Sequence, residues 1–252
     1  MKRRCKKLGI GCAEWNGRRP PDAESIVLVT PESAVSGEFQ TFINRLKATR
    51  RLDRIVIDEC HVILNDQTGF RPILQRLGSL VAAETQMVLL TATLPPSKER
   101  VLRERMHWQD EGVVIRMPTV RTNIRYSVAS VDPRARQEDQ DAVIEALVDQ
   151  EDGKVVVYCN SRSRVERLAR SGLGVCEAFH AGLPDKKKAE VLEEFRTGEI
   201  RIVVATSALG IGVDIPDIRL IIHADVPRNL IDFAQESGRA GRDGQPSRSI
   251  VV

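Results

Sequence analysis

Short apolar runs alternate with amphipathic segments along most of the 252 residues, and this alternation constrains the fold more than any other feature. The runs have the length and composition of strands buried on both faces. They are 25–29, 54–57, 87–90, 112–115, 155–158, 202–204 and 220–222. Segments with helical spacing follow most of them: 37–49, 71–83, 98–106, 137–150, 163–170, 186–196 and 230–236. Strands that alternate with helices predict parallel βαβ units, so the predicted fold class is α/β with parallel sheets.

A polar stretch divides the chain into two halves. Residues 119–139 are rich in arginine and contain Pro133, which predicts a linker between one domain at 1–118 and a second at 140–252. Within this linker, 123–131 retains a strand-like pattern.

Composition excludes some classes of protein and leaves others open. The net charge of +3 is compatible with a nucleic-acid partner but does not require one. Five cysteines without a CxxC pair predict reduced thiols in an intracellular protein, not a zinc or disulfide framework. No apolar run reaches the roughly 18 residues of a membrane span. The basic start, residues 1–8, fits a solvated helix face better than a nuclear-targeting signal and is not a secretory signal.

Two adjacent carboxylates, Asp58 and Glu59, follow the apolar run 54–57. Ligands of open α/β sheets bind at the carboxyl ends of strands, and carboxylates with phosphate oxygens suit Mg²⁺. We therefore expect Asp58 to hold magnesium and Glu59 to activate the attacking water in phosphoryl transfer. The alternative is a helix start whose acids complement the dipole, but the neighbouring His61 and the flanking strand favour the catalytic interpretation.

Arginines three residues apart, Arg239 and Arg242, stand among glycines at 238, 241 and 244, with Gln235 one helical turn earlier. Glycine permits close backbone approach, and planar guanidinium groups match the geometry of a phosphate. This pattern predicts an anion site. The alternative, a solvated basic turn at the end of a helix, is equally compatible with these residues taken alone.

Other strand ends carry small polar or basic residues: Thr30, Pro31, Glu32, Thr93, Ser161, Arg162, His180 and Thr206, with Gly210 and Asp214 beyond them. Each is compatible with a turn or a helix cap. A lone histidine such as His180 is more often structural than catalytic. Gly210 and Gly212 do not complete a dinucleotide fingerprint, and they fit better a loop that a phosphate approaches closely.

Taken together and in order, these segments resemble the superfamily-two helicases, and within them the RecQ-type DNA helicases. The matching segments are Thr30–Glu32, Asp58–His61, Thr91–Thr93, Tyr158–Arg162, Phe179–Leu183, Thr206–Asp214 and Gln235–Arg242. They cover nearly the whole chain in the order found in the family, with Cys60 where alanine is usual.

The resemblance implies two RecA-like domains with ATP and Mg²⁺ in the cleft between them and single-stranded DNA across their tops. Asp58 and Glu59 would act from the first domain. Gln235, Arg239 and Arg242 would act from the second, with Arg242 as the arginine finger. Gly210 and Asp214 would contact ATP, and the remaining strand-end residues would contact DNA. The implied activity is 3′-to-5′ unwinding of DNA driven by ATP, and the DNA substrate implies residence in the nucleus.

The sequence departs from the family in two places. It contains no Gly-x-x-x-x-Gly-Lys-Ser/Thr loop, so the first domain is expected to be incomplete and the chain by itself inactive as an ATPase. In the loop at 65–72, Phe70 is kept but the tryptophan and histidine of the family are replaced. Two alternatives to a motor therefore stay open: a nucleic-acid-binding remnant that does not hydrolyse ATP, and a fragment without independent function.

Overall fold

The computed structural model describes residues 1–64, 72–108, 112–118, 120–132, 134, 136–210 and 214–252. The chain forms two compact units, Met1–Met117 and Pro118–Val252. This division differs from the predicted linker at 119–139, because Ile124–Val128 within that range is a strand of the second unit's sheet. None of the described helices is long and apolar enough to cross a membrane.

The described part of the first unit contains short helices and two separate pairs of parallel strands. Its helices are α1 (Lys2–Lys7), α2 (Pro31–Ala34), α3 (Gly37–Ala48) and α4 (Pro96–Arg105), with 3₁₀ helices at Cys60–Leu64 and Pro72–Ala83. Strand β1 (Cys12–Glu14) pairs with β2 (Ile26–Leu28), and β3 (Arg54–Ile57) pairs with β4 (Gln86–Leu89). The predicted helix at 71–83 is thus a 3₁₀ helix over its described residues.

An aromatic cluster anchors helix α3 in the first unit. Ser36 caps the helix by accepting the N–H of Phe39, which sets the face that points inward. On that face Phe39, Phe42 and Ile43 are buried. The Trp15 ring lies 5.0 Å from Phe39 and 4.8 Å from Phe42. The apolar stripe of the helix therefore packs into the core cluster that also contains Ile57 of β3.

The second unit is built on a parallel sheet in the order β5-β10-β9-β6-β8-β7. Its strands are β5 (Ile124–Val128), β6 (Lys154–Tyr158), β7 (Cys176–Phe179), β8 (Ile202–Ala205), β9 (Ile218–His223) and β10 (Ser247–Val251). Its helices are α5 (Gln137–Asp149), α6 (Arg162–Leu168), α7 (Asp185–Thr197) and α8 (Leu230–Ser237). The parallel pairing confirms the predicted α/β class.

Successive residues of the central strands enter opposite cores. In β6, Val156 joins the cluster that contains Phe195 of α7, whereas Val155 and Val157 join the cluster that contains Ile144 of α5. All five of these side chains are fully buried. Helices therefore cover both faces, which explains why these strands are continuous apolar runs and not alternating patterns.

The structure corrects the assignment of some elements. Residues 112–115 are not a strand, and Val113 and Ile115 are each 82% exposed. Strands β7 and β10 were not predicted, because Glu177 and the serines at 247 and 249 interrupt their apolar patterns. Both strands pair by backbone hydrogen bonds, which do not depend on side-chain polarity.

Candidate functional site

Asp58 and Glu59, the two carboxylates assigned to the reaction, lie at the carboxyl end of β3. The Leu90 N–H donates to the Ile57 carbonyl, and the Cys60 N–H donates to the Leu90 carbonyl, both at 2.9 Å. The chain between these bonds turns sharply, with Glu59 at a φ of +53°. A non-glycine residue in this left-handed region is uncommon and is found preferentially at functional sites.

His61 connects this turn to the end of the neighbouring strand. Its Nδ1 lies 3.2 Å from Glu59 Oε2 and 3.0 Å from Thr91 Oγ1. Because a carboxylate only accepts hydrogen bonds, Nδ1 carries the proton. Thr91 Oγ1 in turn accepts the N–H of Thr93 at 3.1 Å. The structure thus brings the ends of β3 and β4 together.

The carboxylate oxygens at this turn suit a magnesium ion whose other ligands are water and phosphate oxygens. Asp58 is exposed and accepts the Glu59 N–H at 3.0 Å, and the Glu59 side chain is 56% exposed. Among the described residues no group of three or more His, Cys, Asp or Glu side chains forms a metal cage. One or two carboxylates are what Mg²⁺ takes from a protein when phosphates and water supply the rest.

Cys60 serves as a core residue beside the carboxylates. It is 1% exposed, and burial raises the pKa of its thiol to about 11. A neutral buried thiol behaves as a small apolar group, so its substitution for the usual alanine does not add a reactive group to the turn.

Residues 30–32 form a helix start in the first unit. Thr30 Oγ1 accepts the N–H of Ser33 at 3.3 Å, Pro31 is the first residue of α2, and Glu32 lies in its first turn. This geometry matches the capping alternative. It leaves Thr30 and Glu32 exposed.

In the second unit, Arg239 emerges just after α8 and is 8% exposed. Nearby, the O–H of Tyr158 donates to the Leu209 carbonyl at 2.9 Å, and burial raises the pKa of this hydroxyl while the charge of Arg239 opposes that rise. Nη2 would lie 3.5 Å from a Cβ built on Gly210. Among the described residues, Arg239 Nε has no hydrogen-bond acceptor. Gly210 and Arg239, predicted as parts of one site, are therefore neighbours.

A concentration of positive charge surrounds Arg242. Its Nη1 lies 3.7 Å from Asp214 Oδ1. The pKa of Arg242 is lowered, first by burial and then by the charges of Arg239 and Arg121, and Asp214 opposes this shift. Such a site attracts an anion, because a polyanion would relieve the repulsion between the guanidinium groups. Gln235 lies one turn before Arg239 on α8 and is half-buried.

Two residues that brace this site were not predicted, because they lie in the stretch interpreted as a linker. Arg121 donates to the carbonyls of Gly238, Ala240 and Gly241 at 3.2, 3.3 and 2.7 Å. Asn123 Nδ2 donates to the Gly241 carbonyl at 2.7 Å. These bonds hold the loop that carries Arg239 and Arg242. The only sequence signal was a pair of polar side chains immediately before a strand.

Four residues predicted to contact DNA follow the neighbouring strands β6, β7 and β8 at one end of the sheet: Ser161, Arg162, His180 and Thr206. Ser161 caps α6 by accepting the Arg164 N–H at 3.2 Å. Thr206 donates its N–H to the Phe179 carbonyl. Its Oγ1 accepts the Ala208 N–H at 3.3 Å.

His180 is buried, and its contacts are those of a structural residue. It is 5% exposed, its Nδ1 accepts the Gly182 N–H at 3.2 Å, and its Nε2 lies 3.4 Å from Glu166 Oε1. A Cβ on Gly182 would be 3.0 Å from Arg162 Nη1, so the guanidinium of Arg162 lies over this turn. The structure thus brings Arg162 and His180 together, with Arg162 exposed and His180 beneath it.

Parts of two predicted segments cannot be placed. Residues 65–71, which carry most of the loop that departs from the family, and Gly212 lie outside the described residues.

Comparisons with known proteins agree with the motif order. Residues 11–101 match the DEAD/DEAH box helicase family, and residues 138–244 match the family of the helicase conserved C-terminal domain. The ATP-dependent DNA helicase Q5 of Rattus norvegicus is 33% identical over 234 residues, which cover 88% of this chain and 24% of that protein. The ATP-dependent DNA helicase RecQ of Pasteurella multocida is 31% identical over 231 residues, which cover 90% of this chain and 35% of that protein. The chain therefore spans about a quarter to a third of the length of these curated relatives.

Solved structures show the same fold at lower identity. Helicase Lhr of Mycobacterium smegmatis, bound to ssDNA and AMP-PNP, has a TM-score of 0.69 at 24% identity, covering 99% of this chain and 36% of its own. Dbp5 of S. cerevisiae, bound to RNA and ADP BeF3, has a TM-score of 0.73 at 17% identity, covering 99% of this chain and 66% of its own. These likenesses establish RecA-like helicase folds. The motif order, the two family matches and the curated relatives show that the chain belongs to the RecQ-type superfamily-two helicases.

Proposed function

We propose that the chain is the motor part of an ATP-dependent 3′-to-5′ DNA helicase, with one domain at 1–118 and a second that contains 140–252 and the strand Ile124–Val128. The observation that carries this proposal is the pair of guanidinium groups at Arg239 and Arg242 on one braced loop, with Arg239 beside Gly210 and Arg242 beside Asp214. Burial and then the charge of Arg239 lower the pKa of Arg242, and a triphosphate is the polyanion that such a pair suits.

The first unit would supply the acids of the reaction. Asp58 would hold Mg²⁺, and Glu59 would orient the attacking water and accept its proton. Bound to Asp58, the ion would neutralise charge on the phosphates. The contact of His61 with both Glu59 and Thr91 supports this role, because it fixes the carboxylate against the end of the neighbouring strand.

The second unit would stabilise the transferring phosphoryl group. We assign Arg242 as the arginine finger, Arg239 as a second contact to the same phosphate, and Gln235 as a polar contact one turn away. Gly210 would allow close approach of the nucleotide, and Asp214 would orient Arg242 at 3.7 Å. Guanidinium charge aimed at a phosphoryl transition state is worth about 10³- to 10⁵-fold in rate.

DNA would bind along the strand ends that carry hydroxyl and basic groups. The residues assigned to this contact are Thr30, Pro31, Glu32, Thr93, Ser161, Arg162, His180 and Thr206. Most of these are hydroxyl or cationic groups, which bind phosphate oxygens without reading sequence. Affinity for single-stranded DNA should therefore fall as the salt concentration rises. We propose residence in the nucleus solely because the substrate is DNA.

One sequence observation favours a second candidate function. The 252 residues contain no Gly-x-x-x-x-Gly-Lys-Ser/Thr loop, which in other phosphate-binding proteins cradles the triphosphate. Without such a cradle, the chain would bind single-stranded DNA and not hydrolyse ATP.

Steady-state ATP hydrolysis by the whole chain, with and without single-stranded DNA, separates the two candidates. The motor proposal predicts hydrolysis that DNA stimulates and that Glu59→Gln abolishes, while the variant still binds DNA. Glu84→Gln is the matched control, since Glu84 is an exposed acid of the same unit paired with Lys47. DNA binding without hydrolysis would favour the second candidate, and the absence of both would contradict each of them.

A further inference from the structure

His223 is a buried titratable residue that the proposed reaction does not use. It ends β9, whose neighbours in the sheet are β6 and β10, and it is 1% exposed. Its Nδ1 lies 3.2 Å from Glu236 Oε2, and its Nε2 lies 3.2 Å from Ser237 Oγ and 3.5 Å from Ser249 Oγ. The side chain therefore links the sheet to helix α8.

The chemistry of these partners fixes the hydrogen-bond directions. Because the Glu236 carboxylate only accepts, Nδ1–H of His223 is a donor. In the neutral imidazole Nε2 then accepts from the Ser237 hydroxyl, which in turn accepts from Ser249 Oγ at 2.8 Å. Every polar atom of the ring is thus used, as a buried histidine requires.

The two helix residues that His223 holds are those that support Arg239. The Glu236 carbonyl accepts the N–H of Arg239 at 3.2 Å, and the Ser237 carbonyl accepts the N–H of Ala240 at 3.1 Å. A shift of either residue would therefore move the turn from which the guanidinium of Arg239 projects.

The imidazole also supports the far end of the Arg239 side chain. Its ring stacks on Tyr158 at 5.9 Å and an interplanar angle of 22°, and Phe233 of α8 lies 5.1 Å away on another side. Tyr158 donates to the carbonyl of Leu209, next to Gly210, and a Cβ built on Gly210 would lie 3.5 Å from Arg239 Nη2. His223 therefore contacts both the helix from which Arg239 projects and the ring that holds the segment beside its guanidinium.

We propose that His223 is a positioning residue that sets the orientation of Arg239. The consequence for ATP turnover rests on the proposed function. The orientation of the side chain does not, since it concerns contacts within the second unit alone.

Two substitutions at this position separate hydrogen bonding from packing. His223→Leu introduces an apolar side chain of similar size and removes both ring nitrogens. His223→Asn places an amide N–H near the position of Nδ1, so it can still donate to Glu236. Phe195→Leu is the control for a general loosening of the core, because Phe195 is fully buried in the same cluster as Tyr158 but is not one of the ring partners of Tyr158 or His223.

The primary measurement is the Nε–H signal of Arg239 in a proton–nitrogen correlation NMR spectrum of the whole chain, assigned by its loss in Arg239→Lys. We expect the signal to shift or broaden in His223→Leu, to return near its original position in His223→Asn, and to be unchanged in Phe195→Leu. If His223→Leu does not fold, Glu236→Ala serves instead, because it removes the acceptor of the Nδ1 proton and should move the same signal.

The second measurement is ATP turnover with single-stranded DNA. Misplacing a charged group by about 1 Å costs on the order of 10- to 100-fold in rate. We therefore expect kcat to fall by that factor in His223→Leu with little change in KM for ATP, and to recover in His223→Asn. Absence of turnover in the unmodified chain would overturn the proposed function, and the NMR signal would still decide the role of His223. An Arg239 signal that stays in place without the imidazole, or that moves equally in Phe195→Leu, would overturn the inference.

Discussion

At the scale of single residues, the conformation of Gly241 holds the arginine loop in place. Its φ is +53°, and an added Cβ would lie 2.5 Å from Asn123 Nδ2 and 2.6 Å from both the Gln245 carbonyl and Ser247 Oγ. These atoms belong to the bracing contacts of the loop, so they cannot move away without breaking hydrogen bonds.

We therefore predict that Gly241→Ala destabilises the protein more than Gly244→Ala. Gly244 also has positive φ, at +84°, but nothing lies within 4 Å of its Cβ position. Each substitution has the left-handed backbone penalty of roughly 1–2 kcal/mol, and overpacking adds about 1–3 kcal/mol at Gly241 alone. Urea unfolding measures the difference, and equal losses of stability would show that the steric argument is wrong.

Residue chemistry at strand ends was accessible from the sequence, but contacts across the fold were not. The rule that ligands of open α/β sheets bind at the carboxyl ends of strands placed Asp58 and Glu59 at a strand end, and they do follow β3. The contacts of His61 with Glu59 and Thr91 were not part of that prediction. The environment of His223 could not be predicted, because it requires β10 beside β9 and β10 had no apolar signal. The contacts of Arg121 could not be predicted either, because Arg121 lies in the stretch interpreted as a linker and its acceptors are 117 to 120 residues away in the chain.

At the scale of elements, the segment 112–117 shows why an apolar run need not be a strand. Val113, Ile115 and Met117 are all highly exposed, and Arg116 donates to the Leu94 carbonyl at 3.0 Å and to Glu99 Oε2 at 2.9 Å. A side-chain anchor, not a backbone ladder, fixes this segment. The sequence pattern cannot distinguish an extended segment held by a side chain from a strand held in a sheet, because side chains alternate between opposite faces in each.

This anchor should make stability depend on pH. Hydrogen bonds from Arg116 and Arg103 lower the pKa of Glu99 below its ordinary value of 4.5. The stabilisation is therefore present above pH 4.5 and is lost as the pH falls through the lowered pKa of the folded state. We predict that the unmodified chain resists urea better than Glu99→Gln near neutral pH and that this difference disappears in acid.

The matched control for this prediction is Glu104→Gln. Glu104 pairs with Arg100 on the same helix, but the two side chains are 59% and 90% exposed. Exposed pairs of this kind contribute only about 0.3–0.5 kcal/mol. A difference between the chain and Glu99→Gln that persists unchanged at low pH would contradict the role given to the Glu99 carboxylate.

At the scale of the whole molecule, the two units differ in how completely their strands are covered. The second unit's sheet buries Val155, Val156 and Val157 completely. In the described part of the first unit, β3 pairs with β4 alone, and Val56 and Leu90 at these strands are 51% and 47% exposed. Strand pairs that bury little apolar surface open easily.

We predict that the amides of β3 and β4 exchange faster with solvent than those of β6, β8 and β9. Native-state hydrogen exchange of the whole chain measures both sets in one sample, so each serves as the reference for the other. Equal protection across the two units would contradict this prediction.

The proposed function requires that guanidinium groups of the second unit complete a reaction that begins at the carboxylates of the first. Arg242→Ala tests it most directly, with Arg196→Ala as the control, since Arg196 is an exposed arginine paired with Glu193. ATP hydrolysis with single-stranded DNA and DNA binding without nucleotide are measured for each variant. We predict that Arg242→Ala loses about 10³-fold or more in hydrolysis and keeps its DNA affinity, while Arg196→Ala resembles the unmodified chain. A steady rate of hydrolysis in Arg242→Ala would contradict the claim.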